Sequence, residues 1–198
     1  MSKDLRFIRT EKNIKKAFLQ LLRTKPYEKI KINDIIELAE ISRNAFYLHY
    51  YSKDELLDSF IDAYAARFIE EQNRILSENE THSLEVAKEC IDAILTPFFE
   101  EKETSILLFK IYNGEIVSRK LADKLANYFY SRTDKSELSL KEQLDLHFFC
   151  EYRANGIMGT LKFNFLNGSP YEKDDLVELL HSINTGKALI TITPFAQK

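Results

Sequence analysis

Apolar residues recur at intervals of three and four along almost the whole chain, and this spacing predicts helices rather than strands. Ile14, Ala17, Phe18, Leu21 and Leu22 share one face of a first helix, with Lys12, Lys15, Lys16 and Arg23 largely off it. Pro26 breaks that helix, because proline lacks an N–H and pushes the residues before it out of helical geometry. Ile32, Ile35, Ile36 and Ala39 mark a short second helix, with Asn33 and Asp34 near its start and its end near Glu40-Ile41. Ser42 is placed to cap a third helix of about two turns, where Ala45, Phe46 and His49 or Tyr50 recur at helical intervals. "SKDE", Ser52 to Glu55, has the form of a capping box and opens a fourth helix. Leu56, Leu57, Phe60, Ile61, Tyr64, Phe68 and Ile69 form its inner face, which runs to about residue 78.

Further on, "HSLEVAKECIDAILTPFF" shows a clear apolar face that Pro97 should kink or end, and Gly114 separates segments at 103–112 and 116–130. Ser139 and Glu142 predict a second capping box, opening a segment that reaches Leu166, with Gly168 as its stop. Ser169, Pro170 and Glu172 combine an N-cap, a proline at the first helical position and a carboxylate at the third, which predicts a last helix running to about Gly186. The tail 187–198 fits a helical extension, a strand or a loose end equally well. Gly156 and Gly159 cost propensity inside a helix, which points to a close approach either by another helix or within the subunit. The fold class is therefore all-α: three short N-terminal helices followed by a larger C-terminal helical bundle.

Composition sharpens the picture in one respect. With 44% hydrophobic and 30% charged residues and only five Gly and four Pro in 198 residues, the chain suits an ordered helical protein. The formal net charge of −3 conceals a division: residues 1–53 carry 12 Lys and Arg against 6 Asp and Glu, and the remaining 145 carry 16 against 25. A basic head on an acidic body suggests a polyanion-binding unit joined to something else. We place the boundary between the two units at 53/54, giving 1–53 and 54–198. The opening residues lack an apolar leader and no window approaches a membrane span, so a cytoplasmic protein without membrane association is expected. Cys90 and Cys150 are too few for a disulfide framework and read as small apolar residues.

Two short helices joined by about four residues make a helix-turn-helix, whose second helix can enter a major groove of double-stranded DNA. Phe46 should anchor that helix inward and leave Arg43, Asn44, Tyr47 and His49 outside. Arginine has the donor geometry for guanine and asparagine that for adenine, so Arg43 and Asn44 are the base-reading candidates, with Ala45 available to a thymine methyl. Ser42, Tyr47, His49 and Lys53 can hold phosphates, as can amides at the start of the fourth helix.

Over residues 9–57 the chain resembles the TetR family of bacterial transcriptional regulators. The resemblance rests on Leu21-Leu22, Pro26-Tyr27, "DIIELAEIS" from Asp34 to Ser42, "RNAFYLHYYSK" from Arg43 to Lys53 and "DELL" from Asp54 to Leu57. Pro26 and Glu40 stand where the family usually has glycine. Lys31 stands where it often has threonine, at a position that commonly touches phosphate. The resemblance implies a homodimer in which the last two long helices of each subunit form a four-helix bundle, and a small-molecule effector in each larger domain. A palindromic operator follows from two recognition helices held about 34 Å apart. The expected activity is that of a DNA-binding regulator, a ligand-responsive repressor. The alternatives are a co-activator working through a protein partner, or an interaction protein that no longer reads DNA.

Phe98, Phe109, Tyr112, Phe148 and Tyr152 are the candidates to line an aromatic effector pocket, although aromatic positions at helical spacing are more often plain core. His147 and Cys150 share a helix face but are too few to hold a metal, and His82 and His181 stand alone. No metal or other cofactor is expected. No phosphate loop, nucleophile elbow or catalytic acid pair appears, which argues against an enzyme.

Overall fold

The computed structural model describes residues 2–79 and 83–185. The described residues form the helices α1 (Ser2–Thr24), α2 (Ile32–Leu38), α3 (Arg43–Tyr47), α4 (Lys53–Glu78), α5 (Leu84–Glu100), α6 (Lys102–Lys110), α7 (Glu115–Arg132), α8 (Leu140–Leu166) and α9 (Lys173–Asn184). Short 3-10 turns at Tyr27–Lys29 and Ile111–Gly114 join α1 to α2 and α6 to α7. Among them no helix is long and apolar enough to cross a membrane. The tail 187–198 and His82 lie outside the described residues.

Side-chain oxygens set most of the helix starts. Ser42 Oγ accepts from Ala45 N at 3.1 Å to open α3, and Asp34 accepts from Lys31 N at 2.7 Å to open α2. At α8 the expected box is complete: Glu142 N donates to Ser139 Oγ at 3.3 Å and Ser139 N donates to Glu142 at 2.9 Å. At α4 only half of it forms. Ser52 Oγ accepts from Glu55 N at 3.0 Å, but the Glu55 carboxylate reaches one residue further back, to Tyr51 N at 2.5 Å.

The last helix corrects the sequence reading. It starts at Lys173 with Glu172 as N-cap, and Ser169 is instead a turn residue with φ +55°. Asn164 is the cause: its side chain binds Tyr171 through both N–H and C=O at 3.0 Å, while its carbonyl takes Ser169 N at 2.8 Å. This holds 167–172 as a loop. Pro97 does not end α5, which continues to Glu100.

One apolar core runs from the first helices into the bundle. Phe18 of α1 meets Tyr27 edge-on at 6.1 Å and Phe60 of α4 at 5.9 Å. Further along α4, Tyr64 stacks flat on Phe98 at 4.6 Å, Phe98 meets Phe109 at 6.1 Å, and Phe109 stacks on Phe165 at 5.6 Å. Tyr64 also shares a 3.0 Å hydrogen bond with Ser105 Oγ, which donates to the Phe98 carbonyl at 2.9 Å. The buried hydroxyls of Tyr64 and Ser105 thus both have partners.

Candidate nucleic-acid interface

The third helix is held from one side only. Phe46 and Tyr50 are buried, Phe46 meeting Tyr50 at 6.2 Å and Tyr47 edge-on at 5.6 Å. Arg43, Asn44 and Tyr47 are exposed on the opposite side and Ala45 is half-buried. The Arg43 guanidinium lies 5.9 Å from the Tyr47 ring centre, which orders its fork without using its donors. Ser42 is exposed, but its hydroxyl already caps Ala45 N. Lys31 is exposed at the start of α2, with its backbone N–H held by Asp34 and its side chain outward.

Two candidate residues are engaged elsewhere. Lys53 Nζ donates to the carbonyls of Tyr27 at 2.7 Å and Ile30 at 3.0 Å and lies 4.0 Å from the centre of the Tyr27 ring. An ammonium has three donors, so at most one is left for a phosphate. Burial lowers the Lys53 pKa, with Asp54 and Glu28 opposing it. Tyr27 in turn donates its hydroxyl to Asp54, and burial followed by that bond raises its pKa well above the ordinary phenol range. His49 stacks on Phe7 at 3.8 Å, and burial lowers its pKa against the pull of Glu11. Its surroundings thus favour the neutral ring over the cation.

The exposed face also includes two residues that sequence reasoning missed. Leu48 is 75% exposed and Tyr51 82%. Leu48 follows Asn44 by one helical turn, and that spacing was the signal for it. Tyr51 lies in the loop before α4, where helical phase says nothing.

The five pocket candidates do not converge. Phe98 and Phe109 are each 1% exposed and fully packed, whereas Phe148 and Tyr152 are 64% and 75% exposed on the outer side of α8. Tyr112 sits in the α6–α7 turn with its ring edge on Tyr27 at 5.8 Å. One groove, between α4, α5 and the start of α9, has a volume of about 830 Å³ and a charged lining. Its cations are already paired: Arg67 with Glu101 at 2.8 Å, Arg74 with Glu78 at 2.6 Å and Lys173 with Asp92 at 2.6 Å. His147 is exposed while Cys150 is buried, so they do not meet as a ligand pair, and no metal-binding cluster occurs among the described residues.

Residues 14–60 match the family model described as "Bacterial regulatory proteins, tetR family". Over 186 residues the chain is 26% identical to the HTH-type dhaKLM operon transcriptional activator DhaS of Lactococcus lactis subsp. lactis (strain IL1403), covering 86% of this chain and 88% of that one. Among solved structures it is similar to a TetR transcriptional regulator from Streptococcus agalactiae 2603V, with TM-score 0.58 and 22% identity over 92% of this chain and 97% of that one. A protein of Syntrophomonas wolfei str. Goettingen assigned to the TetR family gives TM-score 0.67 and 16% identity, covering 98% and 100%.

Proposed function

We propose that the chain, whose residues 14–60 match the TetR family model, is a helix-turn-helix DNA-binding transcriptional regulator that acts as a homodimer on a palindromic operator. The observation that carries this reading is the one-sided anchoring of α3, with Phe46 and Tyr50 inward and Arg43, Asn44, Tyr47 and Leu48 free to meet a groove. Arg43 reads guanine, Asn44 adenine, and Ala45 with Leu48 a thymine methyl. Lys31, Ser42 and Tyr47 hold phosphates. Residues 1–53 make these contacts, and 54–198 serve dimerisation and control.

The second copy is expected on α8. Leu140, Leu144, Phe148, Tyr152 and Phe163 form an exposed apolar stripe along it. A Cβ added at Gly156 or Gly159 would meet nothing within 4 Å, so neither glycine serves a tight contact inside the subunit. Both therefore support approach by another helix. A two-fold axis through such a stripe pairs the same surface of each copy, as closed dimers require.

A repressor of this design is released by an effector that prefers badly spaced recognition helices, and linkage then weakens the operator by the same factor. The second reading is a co-activator working through a protein partner. The aromatic filling between Tyr64 and Phe165 favours it, as does the activator role of the similar Lactococcus protein. Selection from random duplexes at two salt concentrations tests the common ground: an inverted repeat should emerge, with affinity falling steeply with salt. No enriched repeat and no salt response would overturn it. On the selected operator, Arg43→Ala should relax base preference at one position per half-site by about 1–3 kcal/mol. An equal loss on every sequence would remove its assigned role.

A further inference from the structure

Helix α1 begins 12 residues before Ile14, its first fully buried side chain among the described residues. At 1.5 Å per residue this carries it roughly 18 Å beyond Ile14. A helix of that length is not stable on its own, so the contacts that hold it are informative. Phe7 stacks on His49 with ring centres 3.8 Å apart. Glu11 accepts from the Tyr50 hydroxyl at 3.1 Å and pairs with Lys15 at 2.8 Å. The extension is therefore fastened to the last residues of the recognition segment, His49 and Tyr50, and to nothing in the larger bundle among the described contacts. Arg6 and Arg9 are exposed on these same turns and form no ion pair among the described residues. The carboxylate of Glu11, two residues beyond Arg9, is already occupied.

We propose that the N-terminal turns of α1 form a second DNA contact, in which Arg6 and Arg9 grip backbone phosphates beside the bases read by α3, with the Phe7–His49 stack as the strut that aims them. The inference rests on the DNA-binding reading above. Two exposed guanidinium groups without a carboxylate partner among the described residues suit phosphate, which they can bind through paired N–H donors. The position outside the helix-turn-helix predicts contacts that add affinity without reading sequence. It also gives His49 a positioning task, consistent with its stacking on Phe7.

The test uses the full chain and its selected operator, with affinity measured across a salt series. For Arg6→Ala/Arg9→Ala the slope of log affinity against log salt should flatten by about 3.6, at about 0.9 for each of the four phosphates lost by a dimer, with equal losses on every duplex and unchanged base preference. Arg6→Lys/Arg9→Lys should restore most of the slope, and Phe7→Ala should lower affinity although both arginines remain. A double alanine variant with the wild-type slope overturns the proposal, as does one that changes base preference instead. Should the wild-type chain bind no duplex, the DNA-binding reading has failed rather than this one.

Discussion

Glu40 shows what a single backbone angle costs. It turns the chain between α2 and α3 at φ +54°, where a side chain is disfavoured by roughly 1–2 kcal/mol and glycine is not. Glu40→Gly should therefore raise stability by about 0.5–1 kcal/mol after the entropy of the freer unfolded chain is offset, read as a higher urea midpoint. A lower midpoint would show that the turn is not strained. Lys53 matters for a different reason: removing its ammonium strands two carbonyls that it now satisfies. Lys53→Met should cost about 1–3 kcal/mol in unfolding experiments without DNA. Stability equal to wild type would return Lys53 to a purely DNA-facing role. At His49 burial lowers the folded pKa, so the unfolded state takes up a proton first as pH falls. Its contribution is intact above the unfolded value of about 6.5 and declines on acidification below it. Urea midpoints should fall between about pH 7 and about pH 5 more for wild type than for His49→Phe, which keeps the stack. Parallel curves would dismiss the effect. The outward positions of Arg43, Asn44 and Tyr47 were legible, because helical phase relative to Phe46 determines them. The inward turn of Lys53 was not, since its acceptors Tyr27 and Ile30 lie more than 20 residues away and no local pattern announces them.

Among the elements, starts were more legible than partners. Ser42, Ser52 and Ser139 cap as their spacing suggests, because a capping hydroxyl acts within three residues. Ser169 does not, because Asn164 of the preceding helix captures the loop first, a contest that spacing cannot foresee. The outer face of α8 was misread for a related reason. Phe148 and Tyr152 have the composition of core, and only the packed molecule shows that their side of the helix lacks a neighbour among the described residues. On the proposed pairing through α8, Phe148→Asp with Tyr152→Asp should shift the protein from dimer to monomer in sedimentation experiments while leaving its helical content intact. A variant that sediments as wild type would place any dimer interface elsewhere. The α6–α7 turn is also strained: Tyr112, Asn113 and Gly114 take φ of 48°, 53° and 75° in succession. It brings Tyr112 onto Tyr27, the residue that Lys53 and Asp54 hold, and so ties the bundle to the root of the recognition unit.

At the scale of the molecule, the excess of basic residues up to 53 and of acidic ones beyond it assigns different surroundings to the two ends, while the apolar core ignores that division. Helix α4 belongs to both ends: Phe60 rests on Phe18, and Tyr64, one turn later, stacks on Phe98. The 26 residues of this helix run without a break. The head is consequently not a detachable cartridge. A graft onto a foreign body, if cut at the loop before α4, would leave Leu56, Leu57 and Phe60 behind and open a hole under Phe18. The seam has to run through the middle of the helix, with the donor supplying its opening turns and the recipient the remainder.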